Sequence, residues 1–285
     1  MKVSFLGLGI MGSRMAANLA QNKVSLTVYN RSADKAETFR SAGAAVASSV
    51  QQAVAEADVV FSMLSTPVVV KELATGEQGF LQQMKQQAVW IDCTTVNPSF
   101  SREMAQHAAE ANIRFLEAPV AGTKPHAENA ELVFFVGGAE ADLKEVASLL
   151  DVMGRKTVYV GGSGMGSSLK MLVNAMLAQS MVMFSESVVL GEKMGLDRSF
   201  LLNFLPNLVV AAPFTKAKAE MIKTADYEVQ FPLEWMHKDL QLVAQTAYEL
   251  QQPLFLANVT KELFAKAIQE GMGREDFAAI HKLIQ

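Results

Sequence analysis

Short β-rich runs alternate with amphipathic helical runs through the first half of the chain. The β-rich runs occupy Lys2–Leu6, Ser25–Tyr29, Asp58–Leu64, Val89–Cys93, Arg114–Glu117, Leu132–Val136 and Thr157–Val160, and the helical runs Met11–Gln21, Lys35–Ser41 and Phe100–Glu110. The run at Asp58–Leu64, DVVFSML, is largely apolar, which suits a strand buried on both faces. This alternation predicts a right-handed, doubly wound, mostly parallel sheet.

The pattern changes after Gly161, because almost every later segment has helical period and none reads as a convincing strand. A glycine-rich junction, GGSGMG, marks the change. The sequence therefore predicts two domains: an α/β domain over residues 1–163 and an all-α domain over residues 164–285. A long interdomain helix over about 168–193 is expected to join them.

The first β-rich run leads directly into a glycine motif, FLGLGIMG, which contains Gly7-x-Gly9-x-x-Gly12. A motif of this kind between a strand and a helix is typical of a Rossmann-type dinucleotide-binding domain, since the helix N-terminus offers free N–H groups to a pyrophosphate. The alternative is a structural glycine turn in another α/β protein. Cofactor contacts are expected from the loop and the first helical turn, namely Gly7, Leu8, Gly9, Ile10, Met11 and Gly12.

The end of the second strand reads Asn30-Arg31-Ser32, where an NAD site usually has an acidic residue for the ribose 2′-hydroxyl. Arg31 would attract a 2′-phosphate with its planar guanidinium, and Asn30 and Ser32 can add hydrogen bonds. The cofactor predicted here is NADP(H). The alternative is that Arg31 is an ordinary exposed arginine in a protein that accepts both dinucleotides, and Lys35 is interpreted as a solvated helix residue.

Two further strand ends, MLSTP at 63–67 and DCTTVNP at 92–98, fall on the ligand side of an open sheet. Leu64, Ser65 and Thr95 are therefore predicted near the ribose and nicotinamide. Cys93 is interpreted as a small buried hydrophobe, since no base accompanies it in sequence.

The segment GMGSSLKMLVNAM, residues 164–176, places Lys170 and Asn174 one turn apart on an otherwise apolar helix. Reduction of a carbonyl group needs a proton for the developing alkoxide, and a positioned ammonium can supply it. Lys170 is predicted to be that general acid/base, with Asn174 holding the lysine or a substrate oxygen. A solvated or snorkelling lysine is the alternative.

Composition and net charge argue against some classes of binding partner. Net charge is −4 with no cationic block, which argues against binding to nucleic acid or an anionic membrane. A single cysteine excludes an internal disulfide and fits a reducing compartment. The N-terminus lacks signal-peptide features, and polar residues interrupt the apolar stretch at 169–190, so a soluble cytoplasmic protein is expected. The four histidines form no metal-spaced cluster, so a metal-free mechanism is expected.

Four segments resemble the β-hydroxyacid dehydrogenase family over essentially the whole chain: GLGIMGSRMAANL (7–19), EAPVAGTKPHAENAEL (117–132), GMGSSLKMLVNAM (164–176) and FPLEWMHKDLQL (231–242). Within that family the chain looks most like the glyoxylate and succinic semialdehyde reductases, which share the Asn-Arg-Ser/Thr strand end. The implied activity is NADPH-dependent reduction of a small aldehyde or 2-oxo acid.

The resemblance also implies individual roles. Lys170 would be the catalytic acid/base, supported by Asn174, while Lys238 would lie near the cofactor. Substrate contacts would come from Thr95, Ala121, Gly122, Thr123, Phe231 and Asp239. A homodimer or homotetramer built through the helical domain is implied as well.

One departure from the family pattern concerns the substrate loop, which usually reads Pro-Val-Ser-Gly and here reads Pro119-Val120-Ala121-Gly122. Losing one hydrogen bond to a charged substrate costs about 1.5–3 kcal/mol. The alternatives are a 3-hydroxyisobutyrate dehydrogenase-like enzyme, an imine reductase-like oxidoreductase, which typically lacks the lysine, and a non-catalytic NADP-binding scaffold.

Overall fold

The structure, a computed structural model, describes residues 1–285 and contains two compact units, Met1–Lys170 and Met171–Gln285. The division falls inside a long helix, somewhat after the predicted boundary at residue 163. The boundary falls later because the first turn of that helix is hydrogen-bonded to the sheet of the first unit.

The first unit contains nine strands: β1 Lys2–Leu6, β2 Ser25–Tyr29, β3 Ala45–Val46, β4 Val59–Ser62, β5 Val89–Asp92, β6 Arg114–Glu117, β7 Val120–Ala121, β8 Leu132–Gly138 and β9 Gly154–Gly161. Its helices are α1 Ile10–Gln21, α2 Ala33–Glu37, α3 Val50–Val54, α4 Pro67–Thr75, α5 Pro98–Glu110, α6 Lys124–Glu128 and α7 Glu140–Asp151. The sequence pattern does not single out β3, β7, α3, α4, α6 or α7.

All nine strands form one sheet in the order β3-β2-β1-β4-β5-β6-β8-β7, with β9 paired to β8. Strands β1 to β6 are parallel, which confirms the prediction of a mostly parallel, doubly wound sheet. Strand β8 then runs antiparallel to both β6 and β7. Because the strand order reverses between β1 and β4, the carboxyl ends of those strands frame a crevice where ligands of such sheets bind.

Each face of the sheet has its own apolar core. One core contains Phe5, Phe61, Ile91 and residues of α1 and α7, including Met15 and Leu150. The other packs α3, α4 and α5 around β4 and β5. Its centre is Trp90, whose ring meets Phe80 and Phe115 edge-on at centroid distances of 5.1 and 4.8 Å.

The second unit is entirely helical, as predicted, and begins within α8, Met165–Lys193. Its other helices are α9 Arg198–Phe204, α10 Thr215–Thr224, α11 Leu233–Glu249, α12 Phe255–Gln269 and α13 Ile280–Ile284. The core of this unit includes Met181, Met236, Phe264 and Phe277.

Helix α8 is long and apolar enough to cross a membrane by length and composition alone, with a mean hydropathy of 1.3 in its most apolar window. This differs from the expectation that polar residues interrupt the span. Within the protein, 44% of that window is buried. The core helix of a globular protein passes the same test, and α8 contributes Ala178, Met181 and Val188 to the helical core.

An ion pair lies fully inside the helical unit, where Lys218 Nζ is 2.8 Å from Asp276 Oδ1 and the two side chains are 3% and 0% exposed. Asp276 also accepts hydrogen bonds from the N–H groups of Gln230, Phe231 and Ala278. The pair therefore ties the segment before α11 to the start of the C-terminal segment.

Replacing Lys218 with Met should lower the free energy of unfolding of the protein by about 3–5 kcal/mol, because it strands a buried carboxylate. Urea unfolding followed by circular dichroism measures the change. The control is Lys223→Met on the same helix, which removes an exposed 3.7 Å pair with Glu220 and should cost less than about 1 kcal/mol. Equal losses of unfolding free energy in the two variants would contradict a special role for the buried ion pair.

Candidate active site

The glycine motif forms a tight turn between β1 and α1, with Gly7 at φ +97°. A Cβ on Gly12 would lie 2.0 Å from the carbonyl oxygen of Gly7, so the helix can approach the strand only without a side chain there. A Cβ on Gly9 would meet no atom within 4 Å, so space is open beside the loop. This open space next to a helix N-terminus fits a dinucleotide pyrophosphate.

Asn30 connects this loop to the end of β2. Its Oδ1 accepts a hydrogen bond from the Leu8 N–H at 2.9 Å, and its Nδ2 donates to the Ser32 carbonyl at 3.0 Å. The amide is thus engaged within the protein at both of its polar atoms, and its predicted hydrogen bond to the cofactor stays a prediction. Arg31 and Ser32 are exposed beside it. Of the three predicted residues, Arg31 has the free cationic group that a 2′-phosphate requires.

The ends of β4 and β5 are joined by buried side chains. Trp90 Nε1 donates to Ser62 Oγ, and Ser62 Oγ donates to Asp92 Oδ1, each at 2.8 Å. Asp92 Oδ1 also accepts from the Thr94 N–H, and Thr94 Oγ1 accepts from the Leu64 N–H at 2.9 Å. Thr94, which the sequence does not distinguish from its neighbour, therefore fixes the loop that carries Leu64.

Three further candidates lie at this edge of the sheet: Ser65, Thr95 and Cys93. Ser65 and Thr95 are half-buried, and their predicted contacts with cofactor and substrate stay predictions. Cys93 is fully buried. Burial raises the pKa of its thiol, and the neighbouring Asp92 raises it further. The thiol therefore stays protonated, as expected of a small buried hydrophobe.

The predicted substrate loop follows β7. The Thr123 N–H donates to Nδ1 of His126 at 3.2 Å in a capping box that begins α6. This N–H is engaged by the helix cap, and the predicted contact of Thr123 with a substrate carboxylate stays a prediction. Ala121 is half-buried and Gly122 is exposed, with φ +126°. The predicted substrate contacts of Ala121 and Gly122 stay predictions.

Lys170 lies in the second turn of α8 and is only 7% exposed. The first turn of that helix donates its Gly166 and Ser167 N–H groups to Glu117 Oε1, at 2.7 and 3.2 Å. Glu117 is itself buried, and burial raises the pKa of its carboxyl group, an effect that these hydrogen bonds offset only in part. The sequence does not identify Glu117 as a site residue, since its partners are about fifty positions away.

Asn174 is buried one turn after Lys170 on the same helix. Its Nδ2 donates to Asp239 Oδ2 at 2.6 Å, and Lys238 Nζ lies 2.9 Å from Asp239 Oδ1. Because a carboxylate only accepts, Asp239 fixes the orientation of the amide and leaves Asn174 Oδ1 without a protein partner. Asp239 is 2% exposed, and its predicted contact with substrate stays a prediction.

Both backbone polar groups of Phe231 are hydrogen-bonded. Its N–H donates to Asp276 Oδ2 at 3.1 Å, and its carbonyl accepts from the Phe277 N–H at 2.9 Å. Its half-buried ring meets that of Phe277 edge-on at 5.8 Å. The substrate contact of Phe231 and the cofactor contact of Lys238 stay predictions.

No group of three or more His, Cys, Asp or Glu side chains is placed to hold a metal ion. Three groups can supply proton transfer, hydrogen bonding or charge: the buried amine of Lys170, the amide oxygen of Asn174 and the exposed guanidinium of Arg31.

Two family models match the chain. Residues 2–161 match the NAD binding domain of 6-phosphogluconate dehydrogenase. Residues 164–284 match a domain described as NAD-binding of NADP-dependent 3-hydroxyisobutyrate dehydrogenase. Together the two matches cover nearly the whole chain, and each is to a domain of an NAD(P)-dependent dehydrogenase.

Known proteins resemble the chain over its full length. Glyoxylate/succinic semialdehyde reductase 2 of Arabidopsis thaliana is 32% identical over 98% of this chain and 78% of its own. Reductase 1 of the same plant is 32% identical over 100% of this chain and 99% of its own. A solved structure of Mycobacterium tuberculosis 3-hydroxyisobutyrate dehydrogenase with L-serine is 28% identical, with a TM-score of 0.91 over 100% and 99% of the two chains.

Proposed function

The chain belongs to the β-hydroxyacid dehydrogenase family of NAD(P)-dependent oxidoreductases, and from this premise we propose that it reduces a small carboxylate-bearing aldehyde or 2-oxo acid with NADPH. Glyoxylate and succinic semialdehyde represent the proposed substrate class, and the products are the corresponding hydroxy acids. The observation that carries the proposal is the buried Lys170 ammonium on α8, one turn before an amide whose oxygen has no protein partner.

The proposed preference for NADPH rests on the end of β2. The three residues directly after that strand include no acidic side chain, and the exposed Arg31 stands beside Asn30, which is bonded to the glycine loop. A guanidinium matches a phosphate with two parallel hydrogen bonds, whereas a carboxylate would repel it. The position therefore favours the phosphorylated dinucleotide.

The chemistry divides between cofactor and protein. When bound, the nicotinamide supplies a hydride to the carbonyl carbon. The Lys170 ammonium donates a proton to the carbonyl oxygen and stabilises the negative charge that develops there. Asn174 Oδ1, oriented by Asp239, is the acceptor that can hold an ammonium or a hydroxyl in place. In the oxidative direction the neutral lysine acts as the base.

Substrate preference depends on the 120–124 loop. With Ala at 121 in place of the family's usual Ser, the loop lacks one hydroxyl for a carboxylate, and the Thr123 N–H is already bonded to His126. The loop thus offers fewer donors than the family pattern. We expect a higher KM for glyoxylate than for a longer aldehyde acid, because a longer chain gains apolar contact.

The proposal is tested by the rate of NADPH oxidation with glyoxylate, succinic semialdehyde, a simple aldehyde and a cyclic imine, each repeated with NADH. Turnover of an acid-bearing aldehyde with NADPH is the expected result. Turnover of the imine alone would contradict it. Binding of NADPH without turnover of any compound would favour a non-catalytic scaffold.

The second candidate is oxidation of 3-hydroxyisobutyrate or a similar 3-hydroxy acid. It is favoured by the match of residues 164–284 and by the 28% identical dehydrogenase structure. A higher kcat/KM for oxidation of 3-hydroxyisobutyrate than for reduction of any aldehyde acid would support it over the leading proposal.

We also propose that the protein self-associates through α8. Four apolar side chains on this helix are 54–69% exposed and fall within an arc of about 40° at 100° per residue: Leu172, Met176, Met183 and Leu190. An apolar stripe of this length is typical of a surface covered by another copy. A cytoplasmic location and the absence of membrane and nucleic-acid partners stay predictions.

The double variant Met176→Lys/Met183→Lys should convert a dimer or tetramer into a monomer, because two desolvated charges would face each other across the interface. Size-exclusion chromatography with light scattering measures the mass. The control is Gln241→Lys, an exposed polar position on α11, which should leave the mass unchanged. A monomeric wild-type protein at micromolar concentration would contradict the prediction.

A further inference from the structure

A buried carboxylate anchors the helix that carries Lys170. Glu117, the last residue of β6, is 1% exposed. Its Oε1 accepts from the Gly166 and Ser167 N–H groups in the first turn of α8, and its Oε2 accepts from the Ser101 hydroxyl on α5. These bonds satisfy N–H groups that have no partner within the helix, and the negative charge faces the positive end of the helix dipole.

Two glycines make this contact possible. Gly137 on β8 pairs with Glu117 across the antiparallel strands, and a Cβ there would lie 2.3 Å from Glu117 Oε1. A Cβ on Gly166 would lie 2.4 Å from the Phe135 carbonyl oxygen. The first turn of α8 therefore lies directly against the backbone of β8, and any side chain at either position would push the helix away.

We propose that Glu117 is a positioning residue for the reaction, because it sets the location of Lys170 relative to the sheet of the first unit. The inference rests on the proposed function, since it takes Lys170 as the proton donor. Lys170 follows Gly166 by one helical turn, so a shift of the anchored turn carries the ammonium with it. A displacement of about 1 Å at a reacting group can cost about 10²-fold in rate.

The carboxylate has no other evident task. Its partners are groups at the start of α8 and the Ser101 hydroxyl on α5, and it is closed to solvent. A capping side chain normally comes from the residue before the helix, and it would stabilise the helix alone. Glu117 instead comes from the central sheet, so its hydrogen bonds fix where the helix begins as well as its stability.

The first test compares Glu117→Ala with Glu117→Gln in the full-length protein. The amide oxygen of Gln can still accept both N–H groups, whereas Ala removes the acceptor. We expect Glu117→Ala to lower kcat by about 10²-fold. The KM for NADPH should stay within about threefold of the wild-type value. Glu117→Gln should recover kcat to within about tenfold of wild type, because the anchoring hydrogen bonds return.

The second test moves the helix from the other side. Gly166→Ala places a methyl group against the Phe135 carbonyl and leaves the Glu117 side chain unsubstituted. It should lower kcat in the same way. The matched control is Gly162→Ala, because a Cβ at Gly162 meets no atom within 4 Å and its φ is not left-handed. Gly162→Ala should retain wild-type kcat.

Hydrogen exchange over residues 163–170 supplies a readout that does not depend on turnover. The amides of the first turn should exchange at least about tenfold faster in Glu117→Ala, with protection recovered in Glu117→Gln. Faster exchange with an unchanged kcat would overturn the positioning role. Parallel losses of kcat, NADPH affinity and Tm in Glu117→Ala and Gly166→Ala would also overturn it, since these indicate general loosening.

The two proposals fail in different ways. If wild-type protein reduces no carbonyl compound, the proposed function fails, although exchange still reports whether Glu117 anchors α8. If Lys170→Ala abolishes turnover while Glu117→Ala and Gly166→Ala both leave it intact, the function stands and the positioning role is wrong. Should Glu117→Ala fail to fold, Gly166→Ala and Glu117→Gln decide the result.

Discussion

Replacing Lys170 with Ala should lower kcat for carbonyl reduction by about 10²–10⁴-fold, because the alkoxide would lose both its proton donor and its nearest positive charge. Affinity for NADPH should change little, since the lysine is assigned to the reacting carbonyl rather than to the dinucleotide. Steady-state kinetics give the first quantity, and fluorescence titration with NADPH gives the second.

Two further variants keep this result interpretable. Lys170→Met preserves most of the side-chain volume at a position that is 7% exposed, so it separates lost chemistry from a packing defect. Lys193→Ala, at the exposed end of the same helix, should retain full activity. Unchanged turnover in Lys170→Met would remove the lysine from the mechanism, whatever the alanine variant does.

Replacing Arg31 with Asp should change the ratio of kcat/KM for NADPH to that for NADH by about 10²–10³-fold. Loss of a charge-assisted hydrogen bond to phosphate accounts for about 1.5–3 kcal/mol, and repulsion by the new carboxylate adds to it. Most of the change should be a higher KM for NADPH, with kcat for NADH preserved. Kinetics with both cofactors at a fixed aldehyde concentration measure the ratio.

The matched control for this variant is Lys35→Asp, which makes the same charge change at an exposed position on α2. It should alter the ratio by less than about threefold, the effect of a screened surface charge. If Arg31→Asp leaves the ratio unaltered, the 2′-phosphate is recognised elsewhere. Equal effects in the two variants would mean that overall charge, rather than a specific contact, sets the preference.

Much of the fold follows from local sequence. The long apolar runs at β4 and β5 and the glycine motif before α1 are strong local signals, and the structure contains each element. Strands β3 and β7, of two residues each, are too short to show a period of two. The Val-rich start of α4 resembles a strand, although Pro67 at its first turn suits a helix.

The site was harder to predict wherever a residue's partner is distant in sequence. Lys170 and Asn174 share a helix face, so their spacing alone is enough to predict them as candidates. The bond from the Leu8 N–H to the Asn30 amide oxygen joins two strand ends, and it can be seen only in the folded sheet. Glu117 gave no local signal, because its partners lie in a helix about fifty residues later.

The most direct test of the central claim follows the transferred hydrogen. Wild-type protein is incubated with succinic semialdehyde and NADPH deuterated at nicotinamide C4, using each of the two labelled faces in turn, and the product is analysed by mass spectrometry. The account predicts a hydroxy acid that carries one deuterium on the carbinol carbon with one of the two labelled cofactors. An unlabelled hydroxy acid with both cofactors, or no hydroxy acid from either succinic semialdehyde or glyoxylate, would contradict it.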